Sequence, residues 1–250
     1  MSDAQTITSF RALLEQVLAD AEQDVTHLGV SVDDAAAVAV YFTIVQSSFE
    51  CALLLQQPTI TVAAVLRGLM ESYADLRALI NVPHYDARML ATFYDQKCRL
   101  YRDMLKDPTN PYHADLSKKH DAQANLDDCQ KLLDEQKARG NMPLSNFDRL
   151  EQAGLENEYR SIYWQLCLES HNNIAAVEAR HIEKMPNGRI DLHLRRENRP
   201  AELLVAFDTL ISLVIDSSVR IHELARSPQL ARWQAWRDRL TKFREVALSH

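Results

Sequence analysis

Residues 61–75 read Thr61-Val62-Ala63-Ala64-Val65-Leu66-Arg67-Gly68-Leu69-Met70-Glu71-Ser72-Tyr73-Ala74-Asp75, an apolar run that carries charge inside it. Val62, Leu66, Leu69 and Tyr73, continued by Leu76 and Ile80, recur at helical spacing and predict a helix over about 61–80. Arg67 and Glu71 stand one turn apart on it, with Asp75 a turn further on. Charge in such a setting is costly unless it is paired and hydrogen-bonded. Two readings stay open. The pair fixes helix packing, or it presents a guanidinium and a carboxylate to a ligand, the arginine taking phosphate or another anion. Ala64, Gly68, Ala74 and Ala78 lie near the same stripe. A mid-helix glycine is unfavourable by itself, so these small residues predict the close approach of another helix.

Outward from this stretch, the chain reads as all-α. It has 250 residues, 46% of them hydrophobic and 25% charged, which suits an ordinary globular protein. Five glycines and eight prolines leave long uninterrupted runs, as helices require. Helices are expected over about 6–28, capped by Gly29, and 31–56, with Ser31 as its N-cap and Asp33 and Asp34 in its first turn. The second of these is apolar nearly all round and is expected to be central. Pro58 breaks the chain. Further helices are expected over 86–106, over a highly charged segment 114–137, over a short piece 147–152 capped by Ser145, and over one long span 156–184. Ile190, Leu192 and Leu194 alternate with polar residues near a Pro186-Asn187-Gly188 turn, which predicts a short hairpin near 185–195. Pro200 opens a helix to Leu224, and a last one covers 228–248. The expectation is one helical bundle over 1–250, with about eight helices, a core over 31–226, and the 114–137 helix projecting as an arm.

The uncharged run Ala35–Phe49 falls short of the roughly 20 residues that a membrane span needs, so a core helix is expected and no membrane partner. Cys51, Cys98, Cys129 and Cys167 are widely spaced, without metal or redox-motif spacing, and the first residues do not form a signal peptide. A cytoplasmic protein with reduced thiols follows. Residues up to Ala179 hold 15 basic and 26 acidic side chains, and those from Arg180 on hold 13 and 9, so the last third is mildly basic. Arg189, Arg195, Arg196 and Arg199 cluster there. They read as a solvated loop or as contacts to nucleic acid phosphates.

A second polar set lies over 159–182. Tyr159, Tyr163, Leu166 and Ser170 share one helical face, while Trp164, His171 and Glu178 share a neighbouring one. His171, followed by Asn172 and Asn173, reads either as a hydrogen-bonded core residue or as an acid or base. Glu178-Ala179-Arg180-His181 has the Glu-x-x-His form of di-iron bundles, which need a second copy and further glutamates. No second copy is present, so no metal or other cofactor is assigned, and a metal-dependent enzyme stands as an alternative.

The pattern Arg67-Gly-Leu-Met-Glu71-Ser-Tyr, then Tyr159-x3-Tyr163, then Ser170-His171, resembles an uncharacterised all-helical bacterial group, domain-of-unknown-function family 5677. The resemblance covers roughly Val38 to His181. That group is in turn similar to HEPN-type helical domains, many of them ribonucleases of toxin or anti-phage systems. The resemblance implies Arg67, Glu71, Tyr163 and His171 as the catalytic set. His171 is the acid or base, Arg67 the phosphate binder, Glu71 the residue that orients Arg67, and Tyr163 a donor. Ser170, Tyr159 and Asn173 are expected to contact a ligand. HEPN nucleases carry Arg and His a few residues apart. The pairs here at that spacing, Arg77–His84 and Arg244–His250, read as chance, so the working Arg and His must converge from separate helices. A homo-oligomer acting on RNA is the leading expectation. The competing one is a non-catalytic interaction or sensor module with a buried polar network.

Overall fold

The computed structural model describes residues 2–25, 28, 29, 31, 34–57, 61–114, 121–171, 173–194 and 198–247. Among these it is an all-α fold with one small hairpin. The helices are α1 (Asp3–Val25), α2 (Ala35–Leu54), α3 (Val62–Asn81), α4 (Tyr85–Lys106), α5 (Ala122–Ala138), α6 (Asn146–Gln152), α7 (Glu156–Glu158), α8 (Trp164–Ser170), α9 (Ile174–His181), α10 (Pro200–Leu224) and α11 (Leu230–Ala247). A π turn, Tyr159–Tyr163, joins α7 to α8. Strands β1 (Ile182–Lys184) and β2 (Ile190–Leu192) pair antiparallel, with Glu183 opposite Asp191. The eleven helices exceed the eight or so expected, because the long helix expected over 156–184 is cut twice.

The core is built on α10. Phe207, Leu210, Ile211, Val214, Ile215, Val219 and Ile221 are buried around much of its circumference, and α1, α2, α3 and α11 pack on it. Helix α2 was expected in that central place. It buries Val38, Tyr41, Ile44, Val45 and Cys51, but Phe42, Gln46, Glu50 and Leu53 form a face open to solvent. It is the one described helix long and apolar enough to cross a membrane by length and composition. The core reaches past the expected 31–226 span at both ends, through Phe10, Leu14 and Val17 of α1 and Trp233, Trp236 and Leu240 of α11. Gly29 does not cap α1, which ends at Val25; Asp33 and Pro58 lie outside the described residues. Ser31 sits ahead of α2 with its hydroxyl on the Asp34 carboxylate at 2.7 Å.

The charged arm is a pair of helices rather than one. Helix α5 is capped by the Asp121 side chain and packs chiefly on α4. Two small clusters apart from the main core hold them together: Ala91, Cys98 and Leu133, then Tyr101, Met104 and Ala122. Leu126, Cys129 and Leu133 of α5 thus have their apolar match within the chain. The start of the expected arm, 115–120, lies outside the described residues.

A buried polar knot ties α1, α10 and α11. The Asp24 carboxylate accepts Trp233 Nε1–H at 2.8 Å and the Arg232 guanidinium. His222 lies against it, with Nε2 3.6 Å from Asp24 Oδ2, beyond hydrogen-bond reach, and neither ring nitrogen has a hydrogen-bond partner. Burial holds the His222 pKa below its ordinary value, outweighing the pull of Asp24. The unfolded chain therefore takes up this proton more readily than the folded one. Stability should fall as pH drops below the ordinary value of 6.5. Melting temperatures at about pH 7.5 and 5.5 check this, and His222→Phe should remove part of the drop between them.

Gly68 departs from expectation. It and Ala64 are exposed, and nothing lies within 4 Å of where a Cβ would sit on Gly68. The close approaches on α3 fall instead at Ala74 and Ala78, both fully buried. Gly68→Ala should therefore stabilise the protein by about 0.5–1 kcal/mol, read as a higher urea midpoint at unchanged slope.

Candidate functional site

Arg67, Glu71 and Asp75 form a ladder along α3, and each rung is met from later in the chain. At the lowest rung Tyr85 donates its hydroxyl to Asp75 Oδ1 at 2.7 Å, and Arg149 Nη1 lies 3.4 Å from Oδ2. At the middle rung the Tyr163 hydroxyl donates to Glu71 Oε1 at 2.7 Å, and itself accepts Asn146 Nδ2–H at 2.9 Å. At the top rung Arg67 Nη1 donates to Ser170 Oγ at 3.1 Å and lies 2.9 Å from His171 Nε2. Arg67 Nε is 3.6 Å from Glu71 Oε1 and makes no hydrogen bond.

Local sequence explains each position. Ser145 and Asp148 form a reciprocal capping box that starts α6 and so places Asn146 and Arg149. Tyr159 stacks on Tyr163 with centroids 5.3 Å apart, and Phe147 packs edge-on against Tyr159 at 5.1 Å. Helix α8 ends at Ser170, where His171 takes an extended backbone (φ −103°, ψ 125°). Asn173 then accepts Ala175 N–H at 3.0 Å and starts α9. This side-chain cap, which competes with helix continuation, is why the expected long helix stops here. His171 consequently leaves the face it was expected to share with Trp164 and Glu178. Asn172 lies outside the described residues.

The ladder runs from closed to open. Asp75 and Tyr163 are buried, Arg67, Glu71 and Ser170 are half-buried, and His171 is exposed. Burial raises the Asp75 pKa above the usual carboxylate value, outweighing Arg149 and Tyr85. Burial, then the Glu71 carboxylate, raises the Tyr163 hydroxyl and keeps it a donor. A guanidinium can only donate, so in the Arg67 contact His171 Nε2 accepts and the ring proton sits on Nδ1. The open end thus carries a cation with unused donors beside an imidazole lone pair.

The structure therefore brings together Arg67, Glu71, Tyr163, Ser170 and His171. It places Tyr159 behind Tyr163, as a stacking partner, and commits the Asn173 side chain to the α9 cap. Asn146, Arg149 and Tyr85 were missed. Asp75, repeating the Arg67–Glu71 interval, called for partners, but nothing in the sequence pointed to these three. Of the basic cluster, Arg189 pairs with Asp191 at 2.7 Å and Arg199 with Glu202 at 3.8 Å; Arg195 and Arg196 lie outside the described residues. Glu178 is exposed, and His181 Nδ1 donates to the His193 carbonyl at 2.8 Å. No group of three His, Cys, Asp or Glu suited to a metal ion gathers among the described residues. A cleft of about 880 Å³ opens beside the ladder. Leu66, Leu166, Glu169 and Asn173 line it, whereas Arg67, Ser170 and His171 do not.

A helical bundle with an ionic ladder crossing between α3 and the 146–171 segment is the class of structure these observations define. Residues 36–189 match the family of unknown function DUF5677, and the chain belongs to that family. The matched span includes all three rungs. No curated protein and no solved structure matches the chain.

Tyr163→Phe leaves Glu71 and Asn146 without their shared partner. It should lower stability by about 1–3 kcal/mol, measured by urea unfolding, while leaving the far-UV helical signal intact.

Proposed function

We propose that this is a cytoplasmic, HEPN-like protein of a bacterial defence or toxin-type system that cleaves RNA at the open end of the ladder. The contact that carries this reading is the 2.9 Å approach of Arg67 to His171, two residues from separate helical segments, at an exposed edge. A phosphodiester bound there takes the guanidinium donors and frees His171 Nε2. The imidazole then removes the proton of the ribose 2′-hydroxyl. The 2′-oxygen attacks phosphorus and the bond to the 5′-oxygen breaks, the leaving oxygen taking a proton from water. The products are a 2′,3′-cyclic phosphate and a 5′-hydroxyl. Arg67 balances the charge that builds on the phosphoryl oxygens, and Glu71, held by Tyr163, orients Arg67.

A competing reading has its own support. The buried Asp75 and Tyr163 rungs continue the same network deep into the fold, as a purely architectural ladder would. Incubation with single-stranded RNA, beside a DNA oligonucleotide of the same sequence, separates the two. The expected result is cleavage of RNA alone with cyclic-phosphate ends, reduced about 10²–10⁴-fold in His171→Ala and Arg67→Ala proteins that melt like the parent. No cleavage by the parent, or equal cleavage by all three, overturns the catalytic reading. A large loss of thermal stability in Arg67→Ala without any activity to lose supports the architectural one.

A further inference from the structure

The hairpin is inside out for a lone chain. Along β2 and the next two residues, Ile190, Leu192 and Leu194 are 57%, 77% and 89% exposed. The alternate residues Asp191 and His193 are the half-buried ones, held by Arg189 and by Glu183. A strand with one face on a core places its apolar residues on that face, and a two-stranded hairpin is marginal without cover. Helix α9, which leads into the hairpin, buries none of its residues, and Ile174 on it is 71% exposed. Next to this uncovered element lies the cleft of about 880 Å³, walled by apolar side chains including Leu66, Leu166, Leu203 and Val205. One chain thus carries both an apolar projection and an apolar recess.

The total surface shows the same imbalance. A compact monomer of this mass exposes roughly 11,300 Å². The chain exposes 14546 Å². The excess, about 3,200 Å², exceeds the roughly 1,000–2,500 Å² that each copy covers in a stable homodimer, even with a share assigned to the α4–α5 arm.

We infer that two copies of this chain form a twofold dimer in which the 182–194 hairpin of each is seated in the cleft of the other. A contact of this kind is closed and self-complementary: the same two surfaces meet twice, and no hairpin or cleft is left over to recruit a third copy. The polar groups of the hairpin suit it, since Arg189 pairs with Asp191 and His193 meets Glu183 at 3.0 Å within the hairpin itself. Because Glu169 and Asn173, on either side of Ser170 and His171, line the cleft, the seated hairpin would also wall the open end of the ladder. The dimer stands or falls independently of whether that end cleaves RNA.

Sedimentation velocity on the full chain across nanomolar to high-micromolar concentration tests this. The expected result is a species of twice the 28.6 kDa chain mass. Ile190→Asp with Leu192→Asp on the hairpin, and separately Val205→Asp in the cleft, should each weaken dimerisation at least tenfold while circular dichroism and melting show a folded protein. Mixing the Val205→Asp variant with this hairpin variant, changed only at Ile190 and Leu192, which do not line the cleft as Leu194 does, should restore a heterodimer, because one intact hairpin then meets one intact cleft. Hydrogen exchange supplies a readout free of substitutions: amides of 182–192 should lose protection when the parent is diluted to monomer. A monomer at every concentration, a dimer indifferent to both variants, or a purified monomer whose cleft holds a small apolar molecule by native mass spectrometry overturns the inference.

Discussion

Three ionic side chains on one stripe of α3 set the terms for the second half of the fold. Arg67, Glu71 and Asp75 follow one another at four-residue intervals on a helix whose other positions are largely apolar. Each must find a counter-charge or a donor, because a half-buried charge left alone costs several kcal/mol, roughly the scale of a domain's whole stability margin. Apart from the Arg67–Glu71 pair itself, the partners come from beyond α3: Tyr85 at the start of α4, Asn146 and Arg149 from α6, Tyr163 from the π turn, Ser170 and His171 from the end of α8. Docking the 146–171 segment is therefore what covers the charged stripe of α3, whose apolar side packs on α2 and α10. The short length of α6, α7 and α8 is consistent with this, since tertiary contacts rather than helix length hold such pieces in place.

The same chain solves the problem of buried charge in a second way, and the contrast separates architecture from the candidate site. Around Asp24 the carboxylate, the Trp233 indole, the Arg232 guanidinium and the His222 imidazole gather among α1, α10 and α11, with Asp24 and His222 almost fully enclosed. The α3 ladder is closed only at Asp75. Its other end stops at the surface with an arginine whose Nε has no acceptor and a histidine whose ring is accessible. Unmatched atoms occur in both places, since His222 and Arg232 Nε lack partners in the knot; what sets the ladder apart is that its unfinished end reaches solvent.

Helical periodicity was enough to read the class of fold and most element positions, because Phe10 through Ala21, Leu66 through Leu76 and Phe207 through Ile221 repeat at the interval that buries one side of a helix. The two polar sets could be paired in outline for a related reason, since charge in α3 had to be matched from somewhere. Other features depend on context that a single residue does not carry. Whether Asn173 ends a helix or rides along it is settled by whether its side chain turns to the Ala175 amide, a choice the residue type leaves open, so the cut after His171 was not readable. Gly68 invited a neighbour, yet the neighbours came at Ala74 and Ala78. Uniform apolarity in α2 could not reveal that Phe42 and Leu53 face outward. Arg149 and Tyr85, the partners of Asp75, are ordinary residues in their own segments and acquire meaning only from distance.

The π turn at Tyr159–Tyr163 fits one surplus residue into what is otherwise a single helical path from Glu156 to Ser170. In a regular helix each residue turns the chain by about 100°, so the surplus sets the phase of everything that follows it. It lets Leu166 face the core while Ser170 and His171 come round to Arg67. Among relatives of this chain, a deletion of one position in 156–163 would therefore be no minor trimming. It would rotate the downstream segment by more than a quarter of a circle and detach the imidazole from its arginine with both residues still present in the alignment. Length across this interval, as much as residue identity, is then the inherited character that marks which family members retain the arrangement.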